Sequence, residues 1–435
     1  MSWADRRIHL IGIAGAGMSA YALAAKALGA DVTGSDRAES PYLEPVRAAG
    51  IPVTIGHAAE NIPAGDDVEV FHSTAIVTDN PERVAARERG LPDGSRAELL
   101  GELTRLRKVI AFAGAHGKTT TTSMAAHALL ALGAEPGYLI GGELTTTGTN
   151  ADWGKGEWLV VEADESDRSF LALDVDVAVV TNIELDHVDV YPSMAELEEA
   201  YRAFLAGAGA RVVPPELRDL APDAATFMPE DVELRPGGSR FIAEDVEVTL
   251  HVPGAHNAAN AAAVLAALRM AGFDVRSAAA ALATFRGAGR RFQELGRTAS
   301  GALVIDDYAH HPTEIAATVA GARTLDASRV VAVFQPHLYS RTAQFVREFG
   351  AALAGADVAV VLDVYPARER AEDFAGVGGL LVAETTADAA GGRPVYWLPT
   401  FDDAEPVLRA LLRAGDVCLI LGAGDIDSLG RRLVE

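Results

Sequence analysis

Cysteine is almost absent. A single Cys418 in 435 residues excludes an internal disulfide framework and a thiolate zinc site. Long apolar runs are missing too, and nothing approaches the ~20 residues that a membrane-crossing helix needs. Positive charge is scarce: 37 Lys and Arg stand against 61 Asp and Glu, for a net charge of −24. A chain so negative is a poor partner for a nucleic-acid backbone or an anionic lipid surface, so neither nucleic acid nor membrane is expected as a partner. Any phosphate must then be held locally, by amides, arginine, lysine and metal. Lysine is the rarer cation; Lys26, Lys108, Lys118 and Lys155 are the only four, and none lies beyond position 155.

Hydrophobic residues make up 49% and charged residues 23%, enough apolar material for packed cores and against disorder. The length allows roughly two to four domains. Met1 to Arg7 is charged and leads into a strand-like run and a glycine loop, not into the apolar stretch of a signal peptide. A cytoplasmic, multi-domain protein is expected, as a monomer or homodimer.

Strand, glycine-rich turn and helix recur along the chain, the pattern of α/β architecture. Ile8-His9-Leu10-Ile11-Gly12-Ile13 reads as a buried parallel strand, followed by a helix from about Met18 to Leu28 that Gly29 stops. Asp31 to Asp36 reads as the next strand, with weak turns from there to about Thr104. The pattern restarts at Lys108 to Ala113. It restarts again after Arg291, with Leu303 to Asp306, Val330 to Phe334 and Val417 to Leu421. Three domains are expected, 1–106, 107–294 and 295–435, each a mainly parallel sheet with helices.

The most specific motif is Gly114-Ala115-His116-Gly117-Lys118-Thr119-Thr120, between a strand and a helix running to Leu132. The backbone N–H groups of such a turn cradle polyphosphate oxygens, a lysine neutralises the terminal phosphates, and a Thr hydroxyl ligates Mg²⁺. Phe112 stands where the strict spacing wants glycine, so the loop is a shortened variant. The bland alternative is a Gly-Lys turn capping a helix. Gly12-Ile13-Ala14-Gly15-Ala16-Gly17 resembles a dinucleotide loop, with Asp36 at ribose-binding distance down the chain, but Ala14 stands where a close pyrophosphate wants glycine. A diphosphate suits its N–H groups; a plain tight turn is the alternative.

Val160 to Ser166 reads as a strand ending in Glu162, Asp164 and Glu165, where a metal-binding carboxylate belongs after a phosphate loop. Val177 to Asn182 runs into Glu184, Asp186 and His187. Parallel sheets gather ligands at strand carboxyl ends, which favours function over two solvated loops. Asn257 and Asn260 open an Ala-rich helix, as N-cap or as partners for a planar amide or an adenine edge. Arg291 offers a cation near a boundary. Asp307, Tyr308, His310 and His311, then His337 and Arg341, follow two later strands. Adjacent histidines rarely reach one ion, so hydrogen-bonding roles are preferred. His127, inside a helix, reads as structural.

Together these blocks closely resemble the Mur ligase family, over all three segments, and within it the alanine-adding branch. The resemblance implies a Rossmann-like N-terminal domain for a UDP sugar, a P-loop ATPase-like central domain, and a Rossmann-like C-terminal domain closing over both. It implies an ADP-forming acid–amino-acid ligase using ATP, UDP-N-acetylmuramate and L-alanine, with two Mg²⁺ sites. By resemblance Lys118 bridges the terminal phosphates, Thr119 and Glu162 hold one Mg²⁺, and His187 helps hold the second. Gly114 to Thr120, Asn257, Asn260, Arg291 and Asp307 contact ATP. Gly15, Ala16, Gly17, Met18, Asp36, Ser73, Asn80, Glu165 and Ser166 fall to the sugar nucleotide and its surroundings. Tyr308, His310, His337 and Arg341 surround the amino acid. Ala14, Ala115, Ala309 and Leu338 depart from the family pattern, the last removing a cation.

The murein-recycling branch, which joins a ready-made tripeptide, is the nearest rival; Glu165-Ser166-Asp167 and Asp306-Asp307-Tyr308 look more like the alanine-adding one. A nicotinamide dehydrogenase, resting on the first glycine loop alone, is opposed by Ala14 and by the later Gly-Lys-Thr loop. Family members adding later residues use a carbamylated lysine at the second Mg²⁺. Val188 to Leu205 holds no lysine, and arginine cannot form the carbamate, so none is expected here.

Overall fold

The computed structural model describes residues 2–186 and 190–435. The chain divides into two compact units. One comprises Met1–Glu230, Ile242–Val248 and Ala259–Phe285; the other Asp231–Phe241, Thr249–Ala258 and Arg286–Glu435.

The first unit holds two sheets. Strands β1 (Arg7–Ile11), β2 (Asp31–Asp36), β3 (Val53–Ile55), β4 (Val68–His72) and β5 (Asp93–Ser95) pair in the order β3-β2-β1-β4-β5. All four pairings are parallel. The order reverses beside β1, so the loop leaving β1 lies at the switch point where such sheets bind ligands. Strands β6 (Lys108–Ala113), β7 (Gly137–Leu144), β8 (Thr149–Asp152), β9 (Trp158–Glu162), β10 (Val177–Val180), β11 (Ala210–Val213) and β12 (Ala225–Thr226) pair as β12-β11-β10-β6-β9-β7-β8. Only β7 with β8 is antiparallel in that sheet. Here the loop leaving β6 lies at the reversal, between β10 and β9.

The central strands read as unbroken apolar runs because helices cover both faces. Val109 to Ala113 and Val177 to Val180 are almost wholly buried, each large side chain contributing about 1.5–3 kcal/mol through removal from water. A small third sheet joins β13 (Glu230–Arg235), β14 (Gly238–Ala243) and β15 (Val246–Leu250) in chain order.

In the second unit, β16 (Gln293–Arg297), β17 (Leu303–Asp307), β18 (Arg329–Phe334), β19 (Val358–Val361), β20 (Val395–Trp397) and β21 (Asp416–Leu421) pair as β16-β17-β21-β18-β19-β20. Only β16 with β17 is antiparallel. Apolar clusters cover both faces, one around Ile305, Phe334 and Phe349, the other around Val304, Cys418 and Leu429. Cys418 sits inside β21, between β17 and β18, fully buried; burial pushes its thiol up to about 12.

The expected mainly parallel α/β sheets are therefore present, with strand bounds close to those expected. The weak turns expected from Asp36 to Thr104 are corrected. Three short strands and the helices Leu43–Ala48, Pro81–Glu88 and Arg96–Thr104 fill that stretch. Elements of three to nine residues carry too few periods for an apolar pattern to register. Their start signals are local instead. Asn80 accepts from the Glu82 amide ahead of Pro81, and Ser95 with Glu98 forms a reciprocal capping box. A second correction concerns the carboxylates after β9. The strand ends at Glu162, because Asp164 accepts from the Ser166 amide and turns the chain.

Candidate active site

At the switch point of the first sheet, the Gly12 amide donates to Ser35 O at 2.8 Å and the Ala14 amide to Asp36 Oδ2 at 2.9 Å. Asp36 thus closes the loop on itself. The helix Ala16–Ala27 begins at Gly15 with no side-chain cap, leaving its first amides for an anion. Ser73 flanks this loop, its amide bonded to Ile11 O at 3.0 Å. The Met18 side chain is in the core, 2% exposed, which leaves its place in the first turn of this helix as its link to the loop, and Asn80 uses its amide oxygen as a helix cap. Asn150, on β8, donates to Ala16 O at 2.7 Å.

After β6 the turn needs glycine twice. Gly114 has φ +141°, and a Cβ there would lie 2.1 Å from Thr181 Oγ1; Gly117 has φ +83°, with Asn260 Oδ1 2.6 Å from a Cβ. The same close approach brings Asn260 to the loop. The His116 amide donates to Asn182 Oδ1 at 2.9 Å, Thr181 and Asn182 bond its carbonyl, and its Nε2 lies 2.7 Å from Glu184. This clamp from the end of β10 joins residues 65 and 66 positions apart, a range at which the sequence carries no local signal for it. The helix Lys118–Ala131 starts at Gly117 without a side-chain cap.

Lys118 donates to Gly114 O at 2.7 Å and to Glu165 Oε1 at 2.9 Å. Burial works against its charge, but Glu165 and Asp164 beside it hold its pKa above the ordinary value. The Thr119 hydroxyl donates to Glu162 Oε1 at 3.0 Å, and Glu162 Oε2 accepts from the Gly141 amide at 2.7 Å. Ser166 follows Glu165, whose carbonyl accepts from Tyr191 at 2.9 Å. Asp164 lies well below the usual carboxylate range: burial would raise it, but the charges of Arg96 and Lys118 outweigh that. Three of the expected first-unit groups, Lys118, Thr119 and Glu162, thus converge at the end of β6, with Glu165 and Asn260 joining them. His187 lies outside the described residues.

In the second unit, Tyr308, His310, His337 and Arg341 gather beyond β17 and β18. The Tyr308 and His310 rings are 5.4 Å apart, and those of His310 and His337 6.2 Å. Arg341, buried, lies 3.3 Å from His337 Nδ1. Tyr365, absent from the expected set, stacks on His337 at 5.7 Å and 12°. The Arg291 guanidinium sits 5.1 Å from the Tyr308 ring centre. Asp307 accepts from the Phe292 and Ala309 amides at 2.9 and 2.8 Å, and burial, against the pull of Arg291, pushes its carboxyl up to about 6. Both its oxygens are therefore engaged within the chain. Asn257, one turn before Asn260 on the helix Ala255–Met270, donates to Pro253 O at 2.7 Å. His311 caps the helix Pro312–Arg323, the hydrogen-bonding role preferred for it, and His127 bonds Thr146 and Thr284 inside the first unit.

A lysine-bearing glycine turn facing a Thr–carboxylate pair is the chemistry of a nucleotide-dependent phosphoryl-transfer enzyme. Family models match three stretches: the Mur ligase family catalytic domain over residues 7–108, the Mur ligase middle domain over 112–214, and the Mur ligase glutamate ligase domain over 290–424. The UDP-N-acetylmuramate–L-alanine ligase of Rubrobacter xylanophilus is 44% identical over 98% of this chain and 99% of its own length. That of Thermobifida fusca is 43% identical over 99% and 96%. Among solved structures, the UDP-N-acetylmuramate–alanine ligase of Thermotoga maritima matches with a TM-score of 0.85 and 30% identity, over 98% of each chain. A murein peptide ligase of Psychrobacter arcticus matches at 0.71 and 26%, also over 98% of each. The chain belongs to the Mur ligase family.

Proposed function

We propose that this chain joins L-alanine to the carboxylate of UDP-N-acetylmuramate, converting ATP to ADP and phosphate, in peptidoglycan synthesis. The observation that carries this is the full-length similarity to alanine-adding ligases, which exceeds that to the tripeptide-adding one, together with an intact Lys118, Thr119 and Glu162 set. A carboxylate resists attack by an amine. Its oxygen therefore takes the γ-phosphoryl group, ADP leaves, the alanine amine attacks the acyl carbon, and phosphate departs with the amide formed. Positioning and charge neutralisation supply most of the rate.

In this reading residues 1–106 bind the sugar nucleotide, 107–294 bind ATP, and 295–435 bind the amino acid. Lys118 steadies the terminal phosphates on the amides of Gly114 to Thr120. Asn257, Asn260 and Arg291 serve the nucleotide, and Asp307 shapes that side through the backbone it holds. Gly15 to Gly17, Ser73 and Ser166 serve the sugar nucleotide. Tyr308, His310, His337 and Arg341 receive L-alanine, Arg341 pairing with its carboxylate. The Thr119 hydroxyl and Glu162 carboxylate, 3.0 Å apart beside Lys118, are hard oxygen donors of the kind Mg²⁺ takes with phosphate and water. Bound there, Mg²⁺ would neutralise charge developing on the phosphates. His187 is proposed for the second metal.

ADP release measured with each substrate omitted in turn is the test. Release that requires both UDP-N-acetylmuramate and L-alanine is expected. Release with the tripeptide but not with L-alanine would move the chain to the recycling branch.

A further inference from the structure

Arg96 begins the helix Arg96–Thr104, yet its guanidinium reaches into the neighbouring sheet's territory. Nη2 donates to Asp164 Oδ2 at 2.9 Å and to Ser169 Oγ at 3.3 Å, and Nε lies 3.0 Å from Asp167 Oδ2. That orients the fork and leaves Nη1 over. Nη1 faces the first glycine loop: a Cβ built on Gly17 would lie 3.7 Å from it and 3.6 Å from the Tyr21 hydroxyl.

Tyr21 is only 5% exposed, and its side chain leans back along the helix towards Gly17, as helical side chains do. Among the described residues, neither the Tyr21 hydroxyl nor Arg96 Nη1 makes a hydrogen bond. The Tyr21 ring is packed away while its hydroxyl, beside Gly17, keeps its hydrogen-bonding capacity for whatever occupies the loop. Two donors therefore converge beside the uncapped helix start at Gly15, where Gly17 contributes no side chain to cover them.

We propose that Arg96 Nη1 and the Tyr21 hydroxyl bind the diphosphate of the sugar nucleotide at this helix start. The inference rests on the function proposed above, and adds two binding residues to it. It also gives the two substrate loops a shared part. The carboxylates that aim Arg96 belong to the turn after β9, in which Glu165 holds Lys118. Arg96 is thus braced by the same turn that positions the phosphate-loop lysine.

The test uses the full chain as Arg96→Gln, Arg96→Lys and Tyr21→Phe, each compared with the parent in circular dichroism. Calorimetry measures binding of UDP-N-acetylmuramate, UDP and ATP separately. Losing one charge-assisted bond should weaken UDP-N-acetylmuramate about tenfold to hundredfold in Arg96→Gln, with ATP affinity within threefold of the parent. Arg96→Lys should recover only part, since an ammonium cannot satisfy the acids and the diphosphate with one fork. Tyr21→Phe removes a hydroxyl that bonds nothing in the protein, so it folds, and it should weaken the same ligand several-fold. Parent-like affinity for UDP-N-acetylmuramate in either folded variant overturns the proposal. So does equal weakening of ATP, which marks a purely structural role. A parent that binds UDP as tightly as UDP-N-acetylmuramate, and releases no ADP with L-alanine, would instead overturn the function proposed above.

Discussion

The Thr119 hydroxyl meets the Glu162 carboxylate at 3.0 Å, the first turn of one helix against the last residue of β9. The contact holds both oxygens within a single ion's reach. Replacing Glu162 with Gln keeps the shape and removes the charge. The Mg²⁺ concentration giving half-maximal activity should rise at least about tenfold, and Thr119→Ala should move it in the same direction. A magnesium titration of turnover unchanged in both variants would remove these residues from the metal site.

Lys118→Ala should lower kcat by about a hundredfold or more while the fold persists, because a buried cation aimed at phosphate acts most strongly when charge develops there. Lys118→Arg should not restore it, since the guanidinium cannot occupy the space between Gly114 O and Glu165. Activity within tenfold of the parent in either variant would contradict the phosphate-loop assignment.

For Arg341→Ala the split between substrates is the readout. The KM for L-alanine should rise about tenfold or more, and that for ATP should stay within about threefold, as expected when a carboxylate loses its guanidinium fork. Equal changes in both constants would argue against an amino-acid role.

The scarcity of lysine carries its own expectation. With no lysine after Lys155, no carbamate can form in the stretch beyond the His187 block. Turnover should be the same in buffer stripped of carbon dioxide and in the same buffer with bicarbonate. Loss on stripping, restored by bicarbonate, would show that a carbamate forms elsewhere.

The last expectation concerns stability. Glu82 is fully buried under the first sheet, accepting from Ser35 and Asn61 and bonded to His9 and His57. Burial alone would raise its pKa, but these bonds bring it down to about 2. A depressed carboxylate stabilises the fold above its unfolded pKa of roughly 4.3, and that contribution is lost as pH falls towards 2. It is worth about 3 kcal/mol at neutral pH. Glu82→Gln should therefore lower the urea midpoint clearly at pH 7 and by about half as much near pH 3. A constant difference across that range would mean the cost is one of packing.

How much of this was legible beforehand depended on the range of the contacts. β6, β17, β18 and β21 announced themselves as apolar runs, and the Gly114 to Thr120 turn as a spacing. Arg96 did not. Its partner Asp164 is 68 residues away, and no local pattern links them. Tyr365 stacks on His337 from a loop of unremarkable composition. Spacing after the first glycine loop singles out Asp36, and the family resemblance singles out Asp307; in the structure Asp36 accepts from the Ala14 amide, and Asp307 from the amides of Phe292 and Ala309. Position at a strand end marks where a site lies. It does not say which carboxylates face the ligand and which hold the walls.

Cys418, enclosed between β17 and β18, gives the protein a built-in clock. A thiol with its pKa pushed to about 12 and no exposed surface hardly reacts with an alkylating reagent while that sheet stays closed. As the sole thiol in the chain, it labels without any competing background. The pace of its alkylation therefore counts openings of the second unit's central strands, and slows by whatever factor a bound substrate holds those strands shut.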